Sequence, residues 1–354
     1  MHKGVIVVTV TYGQRWKILC EVLDNILDIE EIYKVIIVDN NSEDDIFEMS
    51  RQMSEKIDII KMNKNEGSAK GFKEGIIKAI EYKECKYIWC LDDDNKPKSN
   101  ALEVLLAEAE NKAIELEEKP TALLSLRTDR KEYIMSSLNN DATKFFPVEN
   151  SFLGIHFKTL VARLLRKFKN TISVNNQNSE FNQVNVPVAP YGGLFFHKQL
   201  IDKIWLPNEA FYLYSDDYEF TYRITKKGGK ILLVPDSKII DIDKTWFVKS
   251  NNGFLLSLFT SDSDLRIYYS IRNRVFFERK DLVNNIKIHN INKLIFLSIT
   301  FVLSIYFKNK DRRSLIKHAI KDGLEGNLGQ LQVRDNTITT LYLEKYVNED
   351  ESND

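Results

Sequence analysis

The sequence is short of several features, and each shortage removes a class of protein. Only three cysteines occur in 354 residues. Cys20, Cys85 and Cys90 are odd in number and lack metal-ligand spacing, so neither a disulfide framework nor a zinc site is encoded. They fit a reducing compartment, as small apolar side chains. An excess of one charge is also lacking: 50 Lys and Arg face 51 Asp and Glu, a formal net charge of −1. Bulk charge therefore gives no reason to expect nucleic acid as a partner. The opening residues, MHKGVIVVTVTYG, have no charged leader ahead of a long cleavable apolar run and predict a buried strand. A cytoplasmic location is the expectation.

Long hydrophobic runs are scarce. Leu294–Phe307 (LIFLSITFVLSIYF), between Lys293 and Lys308, has 14 residues, whereas a helix needs about 20 to cross a hydrocarbon core. It reads as a buried or amphipathic helix. With Lys308, Lys310, Arg312 and Arg313 beside it, peripheral contact with the inner face of a membrane is the alternative. What remains is ordinary for a folded protein, 43% hydrophobic and 29% charged. No internal repeat is present.

Strand and helix signals alternate through the first hundred residues. The apolar runs GVIVVTVTY, KVIIVDNNS, IDIIKM and YIWCLDDDN are separated by helical patterns, the first through Leu19, Val22, Leu23, Ile26 and Leu27. A later helix near Ala69 places Phe72, Ile76, Ile77 and Ile80 on one face. Such alternation predicts an α/β fold with a mostly parallel central sheet flanked by helices, and chemistry at the carboxyl ends of its strands. A helix over 101–118, a strand at TALLSLRT, strands in VPVAPYGGLFFHKQLI and KGGKILLVPDSKII, and a helical region after about residue 260 follow. Between them, HFKTLVARLLRKFK is a basic amphipathic stretch and NNQNSEFNQVN is Asn-rich punctuation.

Four constellations could carry chemistry. Asp92, Asp93 and Asp94 follow the apolar Tyr87-Ile88-Trp89-Cys90. Three adjacent carboxylates repel one another at the end of a buried strand unless a cation sits there. Alternation puts Asp92 and Asp94 on one side and Asp93 on the other. Such oxygen ligands suit Mg²⁺ or Mn²⁺ shared with a diphosphate, and an acidic turn is the plainer reading. YSDDYEF, with Asp216, Asp217 and Glu219, opens a helix in which Ser215 or Asp216 could simply be a cap. NEGSAKGF offers small residues and a helix N-terminus to a phosphate or sugar, without Walker or dinucleotide spacing. VDNNS, with Asp39 and Asn41, could bind a base edge or be an ordinary turn.

Taken in order, VVTVTYGQR, IVDNNS, NEGSAKGFKEGI, WCLDDDN, YGGLFF and FYLYSDDYEFTYRI resemble the family 2 glycosyltransferases over about residues 4–280. The resemblance implies a nucleotide-diphospho-sugar transferase fold of GT-A type and direct displacement with inversion. It implies that Thr9 and Tyr12 flank a nucleobase bound by Asp39, with Asn41 nearby. Gly67, Ala69, Lys70, Gly71, Gly192 and Gly193 would lie along the donor. Asp92, Asp93 and Asp94 would hold the donor and, through Asp92 and Asp94, the metal. Asp217 would be the base, with Asp216 and Glu219 assisting. The expected organisation is a catalytic domain over 1–260, its nucleotide-binding half ending near 125, then a helical region over 261–345 and a disordered acidic tail over 346–354.

One departure stands out. Where many relatives carry a histidine ligand six residues after a proline, Pro235 here is followed by Asp241, with Asp243 on the same strand face. Asp241 is therefore expected as a third oxygen ligand, with Lys244 or Arg272 supplying positive charge to the diphosphate. His197 is expected to be structural. The implied co-substrate is a nucleotide sugar, UDP-galactofuranose or another UDP- or dTDP-sugar, because the motif flavour resembles galactofuranosyl- and rhamnosyl-transferring branches. The implied acceptor is a lipid-linked or polymeric surface glycan. A metal-dependent nucleotidyltransferase and an inactive nucleotide- or glycan-binding scaffold are the competing classes.

Overall fold

The structure, a computed structural model, describes residues 4–112, 119–142, 146, 148–159, 181–243 and 253–331. The Asn-rich segment up to residue 180, most of the basic amphipathic stretch, Lys244 and the acidic tail lie outside these residues. The described chain divides into two compact units. The first takes residues 4–112, 119–142, 146, 181–212 and 216–243; the second takes 148–159, 213–215 and 253–331.

The first unit is built on one nine-stranded sheet. Its strands are β1 (Val5–Thr11), β2 (Ile32–Asp39), β3 (Ile57–Lys61), β4 (Tyr87–Cys90), β5 (Asn95–Pro97), β6 (Thr121–Arg127), β7 (Val184–Val186), β8 (Leu194–His197) and β9 (Lys230–Asp241). Their order across the sheet is β3-β2-β1-β4-β8-β6-β9-β5, with β7 also pairing with β9. β3, β2, β1 and β4 are all parallel. The expected mixture of mostly parallel strands and flanking helices is thus what the chain adopts, with β8 inserted antiparallel between β4 and β6.

The helices α1 (Trp16–Ile26), α2 (Ile46–Ser50), α3 (Gly67–Glu81), α4 (Ala101–Asn111), α5 (Lys131–Asn139), α6 (Leu200–Ile204) and α7 (Asp216–Lys226) complete the unit. Val5, Val7, Val35 and Ile37 pack with Leu19, Val22, Leu23 and Ile26 of α1 and Leu102, Leu105 and Leu106 of α4 in one buried cluster. This explains the near-continuous apolar runs of β1 and β2, since strands covered on both faces cannot alternate. On the other face, Gly71 and Gly75 of α3 lie so close to Val10 and Val8 of β1 that a Cβ at either glycine would collide with the valine. The i, i+4 glycine pair lets the helix approach the sheet.

The second unit, in its described residues, is helical: α8 (Gly253–Thr260), α9 (Asp264–Phe277), a π-turn at Glu278–Leu282, α10 (Ile286–Tyr306) and α11 (Lys310–Glu325). Its buried members include Tyr268, Tyr269, Phe277, Phe296 and Ile316. The 14-residue apolar run is the carboxyl-terminal part of α10, which is 21 residues long because the polar segment from Ile286 to Lys293 continues the same helix. By length and composition α10 is the one described helix able to cross a membrane.

Candidate active site

The strand order reverses beside β1: the chain moves from β1 outward to β2 and β3, then returns to place β4 on β1's other edge. The loops after β1 and β4 therefore diverge and open a crevice at the carboxyl ends of the strands, the place where open α/β sheets bind ligands. Thr11, Tyr12 and Arg15 follow β1, and Asp92, Asp93 and Asp94 follow β4.

β4 ends at Cys90, and the three carboxylates occupy the turn beyond it, where strict strand alternation does not apply. Asp93 turns toward β1, where it accepts hydrogen bonds from Thr11 Oγ1 at 2.9 Å and from Arg15 Nε at 2.8 Å. Arg15 also holds Asp243 at 2.8 Å. Asp92 turns the other way, toward Arg127, while Asp94 lies between the two, its carboxylate 3.5 Å from Arg15. Burial, followed by the charges of Asp92, Asp241 and Asp93, pushes the Asp94 carboxyl up to about 8. Asp92 is raised too, chiefly by burial, with Arg127 opposing the rise.

Asp241 reaches this centre through a short strand. β5 runs antiparallel to β9 with Asn95 opposite Asp241, and the edge position of β5 tolerates Pro97. Asn95 Nδ2 then donates to both Asp94 Oδ1 and Asp241 Oδ1, each at 3.0 Å. The other oxygen of Asp241 is taken by two guanidinium groups, Arg127 and Arg130, the latter at 2.8 Å. The ligand role expected of Asp241 therefore meets a competing one: each of its oxygens already accepts from this chain. Arg127 also lies 3.2 Å from Asp92. Sequence reading missed Arg127 and Arg130; an arginine closing the apolar run TALLSLR was the available signal.

Gly192 explains the small-residue turn before β8. A Cβ there would collide with Asn95 Oδ1 and Asp92 Oδ2, with Arg127 Nη1 at 3.0 Å. The neighbouring Gly193 has φ of +93°, which suits glycine. The YGG turn thus abuts the acidic centre.

The second acidic cluster opens α7. Asp216 is buried and accepts from Ser68 Oγ at 3.0 Å, which ties the start of α7 to α3. Its carboxyl is pushed up to about 7 by burial, with backbone N–H groups and Ser68 pulling the other way. Asp217 is only half-buried, accepts from the N–H of Tyr218 at 2.8 Å and forms no ion pair among the described residues. Burial and then the charge of Asp216 raise its pKa well above the usual carboxylate range. A carboxylate of raised proton affinity that is reachable from solvent has the properties of a general base. Glu219, expected to assist, is buried and paired with Arg223, which also donates to the carbonyls of Ile204 and Leu206. That i, i+4 pair anchors α7 to the chain after α6.

The expected donor contacts divide. Thr9 is buried and its hydroxyl has no hydrogen-bond partner, while Tyr12 is 46% exposed with Arg15 over its ring. An unpartnered buried hydroxyl and an open aromatic ring at one strand end suit a base. Asp39 is buried and closes its own turn by accepting from Ser42 N–H at 2.7 Å. Asn41 has a left-handed φ of 60°. Its neighbour Asn40, unforeseen, accepts from Glu66 N–H at 2.9 Å and donates to the Gly67 carbonyl at 3.2 Å, fastening the loop before α3. Gly67 and Ala69 face the Tyr212 backbone, Gly71 faces Val10, and Lys70 pairs with Glu66 at 3.3 Å. These four are engaged in packing and ion pairing within the unit. Arg272 lies in the second unit, buried against the rings of Tyr268 and Tyr269 and donating to the Gly329 carbonyl at 2.8 Å. Those partners give it a structural place, so Arg15, Arg127 and Arg130 are the cations that the acidic centre itself presents.

Among the described residues, no group of three or more His, Cys, Asp or Glu side chains is disposed to hold a metal ion. Asp92 and Asp94 are the candidate pair: burial and neighbouring carboxylates raise both, Asp241 and Asp93 acting on Asp92, and Asp92, Asp241 and Asp93 on Asp94. One or two carboxylates completed by substrate phosphates are a sufficient donor set for Mg²⁺. The residues fit a divalent ion that arrives with a diphosphate, and not a preformed protein cage.

Comparison with known proteins agrees with this geometry. Residues 6–166 match the family model described as Glycosyl transferase family 2. The structure of GalNAc-T7 with UDP, GalNAc and Mn²⁺ superposes with a TM-score of 0.52 at 12% identity, covering 98% of this chain and 58% of that one. Thus the chain spans a little over half the length of that relative. S. aureus TarS 1-349 matches more loosely, with a TM-score of 0.44 at 13% identity over 95% of each chain. Among curated proteins none matches in sequence. Such identities speak for the fold, and the fold is of GT-A type. The residues similar to that family, 6–166, hold most of β1, all of β4, the three aspartates and Arg127.

Proposed function

We propose that the chain transfers a sugar from a nucleotide diphosphate donor to a glycan hydroxyl with inversion at the anomeric carbon. The observation that supports this most is the facing of two acidic clusters around the sheet's switch point. Asp92 and Asp94 stand at the end of β4, and Asp217 at the start of α7 is close enough that the charge of Asp92 raises its pKa. A hydroxyl group attacking a sugar must lose a proton on one side while a diphosphate leaves on the other. Two carboxylate sites with opposite duties meet that need.

In this reading Asp217 accepts the proton of the acceptor hydroxyl as the new glycosidic bond forms and the bond to the diphosphate breaks. Asp216, fixed by Ser68, raises Asp217's proton affinity through its charge. Asp92 and Asp94 would hold the divalent ion together with the donor's phosphates. That ion, Mn²⁺ or Mg²⁺, supplies neutralisation of the departing diphosphate. Arg127 and Arg130 keep Asp241 neutralised, so that this carboxylate does not repel the donor. Thr9, Tyr12 and Asp39 flank the base. The donor is UDP-galactofuranose or another UDP- or dTDP-sugar, and the acceptor a lipid-linked or polymeric surface glycan, with the chain in the cytoplasm on the inner face of the membrane.

A thermal-shift panel of nucleotide sugars with Mn²⁺ tests the reading, because a ligand that binds only the folded chain raises its melting temperature. One nucleotide sugar should stabilise the chain in a Mn²⁺-dependent way and be consumed with release of its nucleoside diphosphate. Stabilisation by nucleoside triphosphates with pyrophosphate release would indicate nucleotidyl transfer. Stabilisation with no turnover of any donor would indicate a scaffold.

A further inference from the structure

The helix α10 is inside out. Its buried positions are His289, Asn292, Phe296, Thr300 and Ser304, recurring at helical spacing and mostly polar. Its outward positions carry the aliphatic and aromatic side chains: Leu294 is 61% exposed, Val302 63%, Ile305 62% and Tyr306 76%, with Ile291 and Phe301 also open. A surface helix in water shows the reverse pattern. The inward polar groups are not misplaced, because the second unit satisfies them. Asn292 accepts from Phe157 N–H at 2.9 Å and donates to the Asn150 carbonyl at 2.8 Å. A ring nitrogen of His289 meets the Ser151 carbonyl at 3.0 Å, and Phe296 packs edge-on against Phe152. What lacks a partner is the apolar side. Apolar side chains exposed together in this number mark an interaction surface.

The charges around that side identify its partner. From Leu282 to Lys310 the sequence holds no Asp or Glu, while Lys287, Lys293, Lys308 and Lys310 punctuate it. None of these four lysines pairs with a carboxylate among the described residues. Arg313 of α11 lies over the exposed Phe301 ring at 4.5 Å, adding a cation beside the apolar stripe. An apolar face bordered by unpaired cations complements a bilayer surface with anionic headgroups, where acyl chains take the apolar side chains and phosphates take the lysines.

We propose that α10 lies along an anionic lipid surface and docks the second unit there. The proposal deepens the membrane-face reading above and rests on it. Crossing the bilayer is a different matter, despite the helix's length. It would strip the hydrogen bonds of Asn292 and His289 and leave these polar groups in hydrocarbon. Insertion of one face keeps them.

The test uses the full chain, without donor, in co-sedimentation with vesicles of phosphatidylcholine or of phosphatidylcholine mixed equally with phosphatidylglycerol. The wild-type chain should sediment with the anionic vesicles, less so at high salt, and little with the neutral ones. Leu294→Ser, Val302→Ser and Ile305→Ser together should weaken that binding by at least about tenfold, since apolar insertion supplies much of the affinity. Lys287→Glu, Lys293→Glu and Lys310→Glu together should abolish the preference for anionic vesicles. Because all six side chains lie in the second unit and outside the proposed site, donor consumption without vesicles should be unchanged in both variants. Loss of donor consumption by the wild-type chain with vesicle binding intact would defeat the transferase reading and leave the docking surface standing. Wild-type chain remaining in the supernatant with both vesicles would overturn the proposal. So would a serine variant that sediments like wild type. A serine variant that converts a dimer to a monomer, beside a wild-type chain that ignores vesicles, would assign the face to self-association instead.

Discussion

The first unit neutralises its two acidic clusters in opposite ways. Around β4 the carboxylates are met by guanidinium groups: Asp93 and Asp243 by Arg15, Asp241 by Arg127 and Arg130, Asp92 by Arg127. At the start of α7 no arginine pairs with Asp216 or Asp217 among the described residues, and a hydroxyl and backbone N–H groups serve instead. A full positive charge opposes the rise that burial imposes, as Arg127 does at Asp92, and holds the carboxylate still. Dipoles leave a buried carboxylate near its protonation point. The first arrangement suits a site that must receive a charged phosphate, and the second suits a site that must take up a proton.

Substitutions should separate the clusters, beginning with the base. Asp217→Asn should lower the transfer rate by about 10²–10⁴, read from initial rates at saturating donor; normal turnover would erase the distinction between the clusters. Arg127→Met comes next. It leaves Asp241 with Arg130 alone and takes the guanidinium from Asp92, and breaking a buried pair costs up to about 3–5 kcal/mol. Denaturant titration should show that loss, whereas an unchanged midpoint would mean that the arginine is dispensable to the acidic centre.

The acidic centre should also trade stability for function. The Asp94 carboxyl, near 8 in the folded chain and 3.8 ordinarily, is raised by folding. Its contribution to stability is therefore present below about pH 4 and is lost as pH rises toward 8. Asp94→Asn removes that loss. At pH 8 without metal it should raise the melting temperature by about 2–4 °C for each kcal/mol recovered, while weakening Mn²⁺-dependent nucleoside diphosphate binding. A lower melting temperature would place Asp94 among the stabilising contacts. The smallest effect belongs to Ser68→Ala. Removing the hydroxyl that lowers the Asp216 pKa raises that pKa, so Asp216 carries less charge and raises Asp217 less. The acid limb of the rate profile, set by Asp217, should move to lower pH by up to about 1 unit, the worth of one hydrogen bond. A limb moving to higher pH would reverse the assigned role.

Much of this was legible in the chain. The both-face burial of β1 and β2 is written in their unbroken apolar runs, and the acidic cluster after β4 in three adjacent aspartates, of which Asp92 and Asp93 point to different arginines. The pairing of Glu219 was legible too, since Arg223 stands four residues on, an ordinary helical ion pair. The pairing of Asp241 with Arg127 and Arg130 was not legible. It depends on the register of β5 against β9 and of β6 against β9, which bring together residues 114 and 111 positions apart. Arg272 was expected near phosphate because it is a cation downstream of the acidic motifs, but Tyr268, one helical turn earlier, and the adjacent Tyr269 form a closer aromatic setting for it. Local spacing reveals a residue's neighbours on its own element, and ladder register decides the others.

The most direct test of the division between the clusters is calorimetric titration of the nucleotide sugar, with Mn²⁺, into the Asp217→Asn chain and into the Asp92→Ala chain. The account predicts near wild-type affinity for Asp217→Asn, which transfers nothing, and loss of metal-dependent binding for Asp92→Ala. Loss of binding in Asp217→Asn, or wild-type affinity in Asp92→Ala, would contradict it.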